Sequence, residues 1–334
     1  MDSLTQIVLG AAVGNAVLGT KIKNKAILYG AIAGTIPDLD VVFGLFLDPI
    51  VALEIHRGLT HSFLFATVLA VLLGYGLHRI ERAKGVSFKE GFNLVFLGLV
   101  THSFLDAFTT WGTEILWPWN YSFAFKSIFV VDPLYTLPFI FFLVKSMRET
   151  KDMKRRMKWN TYGIVVSSAY LLITLILKFL AYNKFEESLD KQQQVFNSLA
   201  VKPTAFNTVL WNGIVEMDSS YWIGTYSFFD KGEIEYQEFD KNLELLKDIE
   251  KEPVVERLID LSNGEFTMSK SKNQLYFNDL RFGLLKSYPK ETQFAFSYHL
   301  FENADGVWEA QEVKKEKRDG VVMLKNMWTR IFGD

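Results

Sequence analysis

The stretch TYGIVVSSAYLLITLILKFLAY, residues 161–182, decides the fold. Lys178 is its one charge, and about 20 mostly apolar residues suffice to cross a bilayer. Five further apolar stretches precede it, at 4–19, 26–47, 60–80, 91–108 and 128–146. The first is Gly-rich and short. The second is interrupted by Pro37-Asp38-Leu39-Asp40, and the fourth carries His102 and Asp106. A soluble bundle of unusually apolar helices is the competing reading, but six such stretches exceed what a soluble core consumes.

The remainder has a different chemistry. Residues 1–182 hold 17 Lys+Arg against 12 Asp+Glu, whereas residues 183–334 hold 19 against 26. The expected fold class is an α-helical integral membrane bundle of about six transmembrane helices (1–182) followed by a soluble α+β domain (183–334). In the latter, 209–217 and 221–229 read as strands around an Asp218-Ser219-Ser220 turn, and 294–301 reads as a strand ending at Asn303-Ala304-Asp305-Gly306. Residues 243–261 have helical apolar spacing and read as one helix. The start, Met1-Asp2-Ser3, lacks the basic segment of a cleavable signal peptide. The chain's net charge of -2 argues against nucleic acid as a partner, and its lack of Cys excludes disulfides, Cys-ligated zinc, iron–sulfur clusters and thiol nucleophiles.

Lys and Arg concentrate in alternate loops: Lys21, Lys23 and Lys25; Arg79, Arg82, Lys84 and Lys89; and Lys145 to Lys158. The positive-inside rule makes these loops cytoplasmic. The loops 48–59 and 109–127 and the C-terminal domain then fall outside the cytoplasmic membrane. Asp2, Asp38, Asp40, His56, Arg57, His61, His102, Asp106 and Asp132 gather on that same outer face. Ionisable groups at membrane depth are costly and usually functional. His102 and Asp106 are four apart, hence on one helical face. Pro37 breaks a helix and can turn Asp38 and Asp40 to one cavity. His56 and His61 bracket Arg57-Gly58-Leu59-Thr60, with Thr60 as the expected helix cap. Imidazole plus carboxylate is a ligand set for Zn²⁺ and suits Mn²⁺ or Fe²⁺. The metal-ligand set is therefore Asp38, Asp40, His56, His61, His102 and Asp106. A solvated hydrogen-bond network is the non-functional reading of the same residues. His78 and His299 are assigned no role, and Trp111, Trp117, Trp119 and Tyr121 read as an interfacial aromatic belt.

Taken in order, Met1-Asp2-Ser3-Leu4-Thr5, Gly34-Thr35-Ile36-Pro37-Asp38-Leu39-Asp40, His56-Arg57-Gly58-Leu59-Thr60-His61-Ser62 and His102-Ser103-Phe104-Leu105-Asp106 resemble the bacterial inner-membrane metal-dependent hydrolases. This is a domain-of-unknown-function family with SOS-regulated members, similar more distantly to zinc-dependent phospholipase C. The resemblance covers about residues 1–180 and implies a multi-pass membrane protein with metal-dependent hydrolase activity. One position departs: the family's first motif usually ends in His, where this chain has Gln6.

The expected function is hydrolysis of a lipid or lipid-linked phosphoester at the outer membrane face. Asp40 serves as general base and Arg57 stabilises anionic charge. Two alternatives stand beside it. One is a non-enzymatic, membrane-anchored binding or stress-response protein using 183–334 to hold a protein partner. The other is a transporter with a cation path.

Overall fold

The computed structural model describes residues 1–44, 46–47, 50–52, 56–119, 121–286, 293–314 and 320–333. Contacts divide the chain into two units: Met1–Ile176 with Ala205–Thr208, and Leu177–Thr204 with Val209–Asp334.

The first unit is helical. Helix α1 (Ser3–Ile22) starts at Asp2, whose carboxylate accepts from the Thr5 N–H. A single residue, Lys23 at φ +51°, turns the chain into α2 (Asn24–Thr35). The two helices then meet backbone to backbone. A Cβ on Gly14 would stand 2.2 Å from the Ala26 carbonyl oxygen, and one on Gly30 would stand 2.2 Å from that of Gly10. Small residues four apart are what allow such approach where lipid supplies no hydrophobic drive between helices.

Pro37 has no N–H to continue the helix. It opens a one-turn 3₁₀ helix (Pro37–Leu39), followed by the short α3 (Asp40–Gly44). The apolar stretch 26–47 is thus a broken element and not one rod. Within the loop expected at 48–59, residues 48–49 and 53–55 lie outside those described. A second 3₁₀ turn (Leu59–His61) leads into α4 (Phe63–Glu81). Its cap is Ser62, in extended backbone, whose Oγ accepts from the Phe65 N–H. Thr60, the expected cap, lies inside the 3₁₀ turn and donates to Asp40 instead. Helix α5 (Phe88–Ala107) opens on a reciprocal Ser87–Glu90 box, and α6 (Pro133–Arg148) on an Asp132 cap. Helix α7 (Met153–Lys191) is the longest.

Among the described residues, three helices are long and apolar enough to cross a membrane: Ser3–Ile22, Phe63–Lys84 and Met153–Lys191. Helices α2 and α6, with 12 and 16 residues, are shorter. At a rise of about 1.5 Å per residue each falls short of a hydrocarbon core of about 30 Å. At one end of the bundle α1 begins, α2 ends, α4 begins and α5 ends. There Gln6 Nε2 donates to the His102 carbonyl, His102 Nδ1 donates to the Gly34 carbonyl, and the His61 and His102 rings approach through their Nε2 atoms at 3.2 Å. At the other end Lys21 pairs with Glu90, and Lys25 with Glu81.

The second unit opens with the last part of α7. Residue 182, the expected domain edge, lies inside that helix. Residues 183–191 contain no breaker, and they set Phe185 and Leu189 four apart, both fully buried. Two four-stranded antiparallel sheets follow. The first holds β1 (Ser198–Pro203), β2 (Leu210–Glu216), β3 (Ser220–Ser227) and β4 (Tyr236–Asp240). The second holds β5 (Phe266–Ser271), β6 (Gln274–Lys286), β7 (Gln293–Glu302) and β8 (Trp308–Glu312). Ile214, Tyr221 and Ile223 of the first sheet pack with Leu280 of the second. The single helix expected at 243–261 is instead a 3₁₀ turn (Leu243–Leu246) and α8 (Pro253–Leu261). Pro253 disfavours helical backbone in the residue before it, so the element divides there. Helix α9 (Gly320–Ile331) ends the described chain.

Candidate metal centre

The centre forms where the four helix ends meet. The 3₁₀ turn after Pro37 presents Asp38, and the turn before α4 presents His61. The last turns of α5 present His102 and Asp106 from one face. One ligand atom of each lies within 4.8 Å of all the others. The two Nε2 atoms of His61 and His102 are 3.2 Å apart. Asp38 Oδ1 lies 3.5 Å from the first and 3.3 Å from the second. Asp106 Oδ2 lies 3.6 and 3.8 Å from the same two atoms. Ligands about 2.0–2.1 Å from a tetrahedral Zn²⁺ stand roughly 3.4 Å from each other, so these spacings fit such an ion.

The surrounding bonds orient the donors. His102 Nδ1 donates to the Gly34 carbonyl at 2.6 Å, which leaves Nε2 bare and aimed at the cluster. His61 Nδ1 reaches Thr60 Oγ1 at 3.0 Å, and that hydroxyl donates to Asp40 Oδ2 at 2.8 Å. Metal-bound imidazoles ordinarily have such a partner on the other ring nitrogen. Asp106 Oδ1 accepts from Gln6 Nε2 and from the Met1 amino group, which turns Oδ2 inward.

Three buried polar atoms here have no hydrogen-bond partner: Asp106 Oδ2, Arg57 Nε and Gln6 Oε1. Buried polar groups are rarely left so. Asp106 Oδ2 in particular faces two imidazoles, and its ion-pair neighbour Arg57 Nε, 3.3 Å away, is not aligned to hydrogen-bond it.

The six expected ligands divide. Asp38, His61, His102 and Asp106 converge, whereas Asp40 and His56 pair with each other at 2.8 Å beside His61. Arg57, at φ +70°, donates from Nη1 to Thr109 Oγ1 at 2.9 Å and sets Nε 3.3 Å from Asp106 Oδ2. Asp2 and Asp132, expected on this face, are helix caps, and Asp132 also accepts from Tyr170. His78 donates to the Val86 carbonyl outside the cluster, and His299 lies against Tyr276 and Phe301 in β7. Trp119 and Tyr121 are exposed. Sequence reading overlooked Gly34, Thr60 in its observed role, and Thr109. A carbonyl and two hydroxyls carry no motif of their own.

The model of the YdjM inner membrane protein family matches residues 1–185, more than half of the chain. The chain belongs to the YdjM family. The four motifs that suggested an inner-membrane family all fall inside the YdjM match, so that resemblance is borne out. The inner membrane protein YbcI of Escherichia coli (strain K12) is 34% identical over 109 residues, covering 31% of this chain and 60% of YbcI. The chain thus spans less than two thirds of that relative. No solved structure matches. Membership in YdjM and the three apolar helices make this a membrane protein. The sheets of the second unit lie beyond the YdjM match.

Proposed function

We propose that this chain is a metal-dependent hydrolase of the cytoplasmic membrane that acts on a lipid or lipid-linked phosphoester. The supporting observation is the convergence of Asp38, His61, His102 and Asp106, with the two imidazole Nε2 atoms 3.2 Å apart, a spacing that suits a divalent ion. Six membrane-embedded elements make up the bundle, namely α1, α2 with its proline turn and α3, α4, α5, α6 and α7, and the ends of α1, α2, α4 and α5 carry the site. The Lys/Arg bias of the loops supports an outer-face position for the site and the C-terminal domain.

Zn²⁺ is the first choice of ion, with Mn²⁺ or Fe²⁺ as alternatives. When bound there, it supplies Lewis acidity toward a phosphoryl oxygen and acidity to water. The residues divide the remaining work. Asp38, the most exposed donor at 20%, lies on the side where substrate enters. Asp40 holds His56 by its Nδ1, and this carboxylate–imidazole pair takes up the proton that water releases. Arg57, fixed by Thr109, keeps a permanent positive charge beside the reacting phosphate.

The test is turnover of phospholipid and polyprenyl-phosphate esters by the purified chain in detergent. Activity should vanish after chelation and return with Zn²⁺ or Mn²⁺. Asp40→Asn should weaken metal affinity about 10–100-fold, because it removes the carboxylate at the end of the His61–Thr60 chain. A titration with a competing chelator reads that change.

A second reading has its own support. Four protein donors already complete a tetrahedral sphere, as in structural zinc sites. On that reading the ion braces a membrane-anchored binding protein whose outer domain holds a protein partner. A fully metallated chain without turnover on any lipid phosphoester would favour it.

A further inference from the structure

Helix α9 presents an apolar row that the second unit does not cover. Leu324, Trp328 and Phe332 follow one another at helical spacing and are 50%, 63% and 57% exposed. Phe229 continues the row, stacked on Phe332 at 5.8 Å, and Trp328 meets Phe332 at 5.2 Å. The opposite side of α9 is fastened down. Arg330 binds both carboxylate oxygens of Asp230, at 2.6 and 2.7 Å, and the Thr225 carbonyl. Ser227 Oγ donates to the Ile331 carbonyl. Gly333 packs so closely that a Cβ on it would stand 2.7 Å from the Phe229 oxygen. These bonds hold the row facing away from the body.

Where α9 is fastened identifies what the row meets. Within this unit α7 runs along the first sheet. Ala181 and Phe185 pack with Trp211 and Tyr226, and Leu189 packs with Val215 and Met217. The end of the sheet where Leu210 pairs with Ser227 therefore lies at the Leu177 end of this unit's stretch of α7. Leu177 and Phe228 pack on the same cluster. Leu177 belongs to the apolar run of α7, a helix long and apolar enough to cross a membrane, and just after it Phe179 and Leu180 are exposed. Within this unit Phe228, Phe229 and the last turn of α9 thus lie at the Leu177 end of α7, where its apolar run stops. Aromatic and aliphatic side chains with a polar opposite face are the composition of helices that lie in the headgroup region.

We propose that α9 lies in the lipid–water interface of the membrane that α7 crosses, with Leu324, Trp328, Phe332 and Phe229 seated among the lipids. This inference needs only a membrane-crossing α7 and does not depend on the hydrolase reading.

The chain has no Cys, so single labels are clean. Leu324→Cys on the row and Asn326→Cys on the other face are each spin-labelled in the full-length chain. The proteins are reconstituted in vesicles of phosphatidylcholine with one quarter phosphatidylglycerol. Collision rates with oxygen, which concentrates in lipid, and with a water-soluble nickel chelate are then compared. The expected ratio of oxygen to nickel is severalfold higher at 324 than at 326. Equal ratios would mean that the row faces water, and would overturn the proposal. Low access to both reagents at 324 with dipolar broadening would mean that a second copy covers the row, and would overturn it too.

Discussion

His102→Ala should empty the metal centre. Elemental mass spectrometry of the purified variant should find the ion far below the wild-type ratio, and resupply at neutral pH should not restore it. His102 contributes a fully buried Nε2 that the Gly34 carbonyl fixes in tautomer and direction. Removing it leaves Asp38 and Asp106 with one imidazole between them. Loss of a residue that merely orients a ligand costs about 10–100-fold in affinity, and loss of the ligand itself costs more. His78→Ala is the matched control. That histidine bonds the Val86 carbonyl and lies outside the cluster, so its removal should leave the metal ratio unchanged. Wild-type metal content in the His102 variant, or a wild type that takes up no ion at all, would remove the ground for a metal-dependent hydrolase.

Gly30→Ala, like Gly14→Ala, should be among the most damaging single methyl groups in the first unit. The new Cβ would stand 2.2 Å from the Gly10 carbonyl oxygen and 2.7 Å from the Gly14 Cα. Both neighbours are backbone, so no side chain can swing aside. Overpacking a core costs typically about 1–3 kcal/mol, and a clash between two helix backbones belongs at or above the top of that range. A fall in thermal transition temperature and in monodisperse yield would report it. Gly76→Ala offers the contrast. Nothing lies within 4 Å of its Cβ position in α4, so relief from glycine's helix penalty should stabilise by about 0.5–1 kcal/mol. The Gly30 variant should lose metal as well. Spreading α1 from α2 draws Gln6 away from Asp106 and shifts the Gly34 carbonyl from His102. Intact stability in Gly30→Ala would mean that the helices do not pack through their backbones.

The site was legible where the chain's own periodicity or topology joins residues. His102 and Asp106 follow from four-residue spacing on α5. Asp38 and His61 follow from which helix ends share a face. The division between converging donors and the Asp40–His56 pair was not legible, because it turns on backbone details of two 3₁₀ turns. The break at Pro253 was visible in the sequence, yet the apolar spacing on either side masked it. The β5–β6 hairpin went unread for another reason. Its two-residue turn is Lys272-Asn273, both at positive φ, and the Lys hides a turn that Asn-Gly or Asp-Gly would announce. The eight strands pair only with their neighbours in the chain, as two meanders, so what went unread was the strands and turns themselves and not a long-range pairing.

The contact of α1 with α2 has a consequence for how this chain can vary. The donor geometry rests on main-chain atoms, the Gly34 carbonyl above all, and main chain does not change when a residue is exchanged. Leu28 and Ile32, exposed on α2, are free to drift with the thickness and composition of the host bilayer. Gly10, Gly14, Gly30 and Gly34 are not. Chemistry and lipid adaptation are therefore separable traits on one short helix: a lineage can retune its outer surface for a new membrane while the histidine inside keeps its aim.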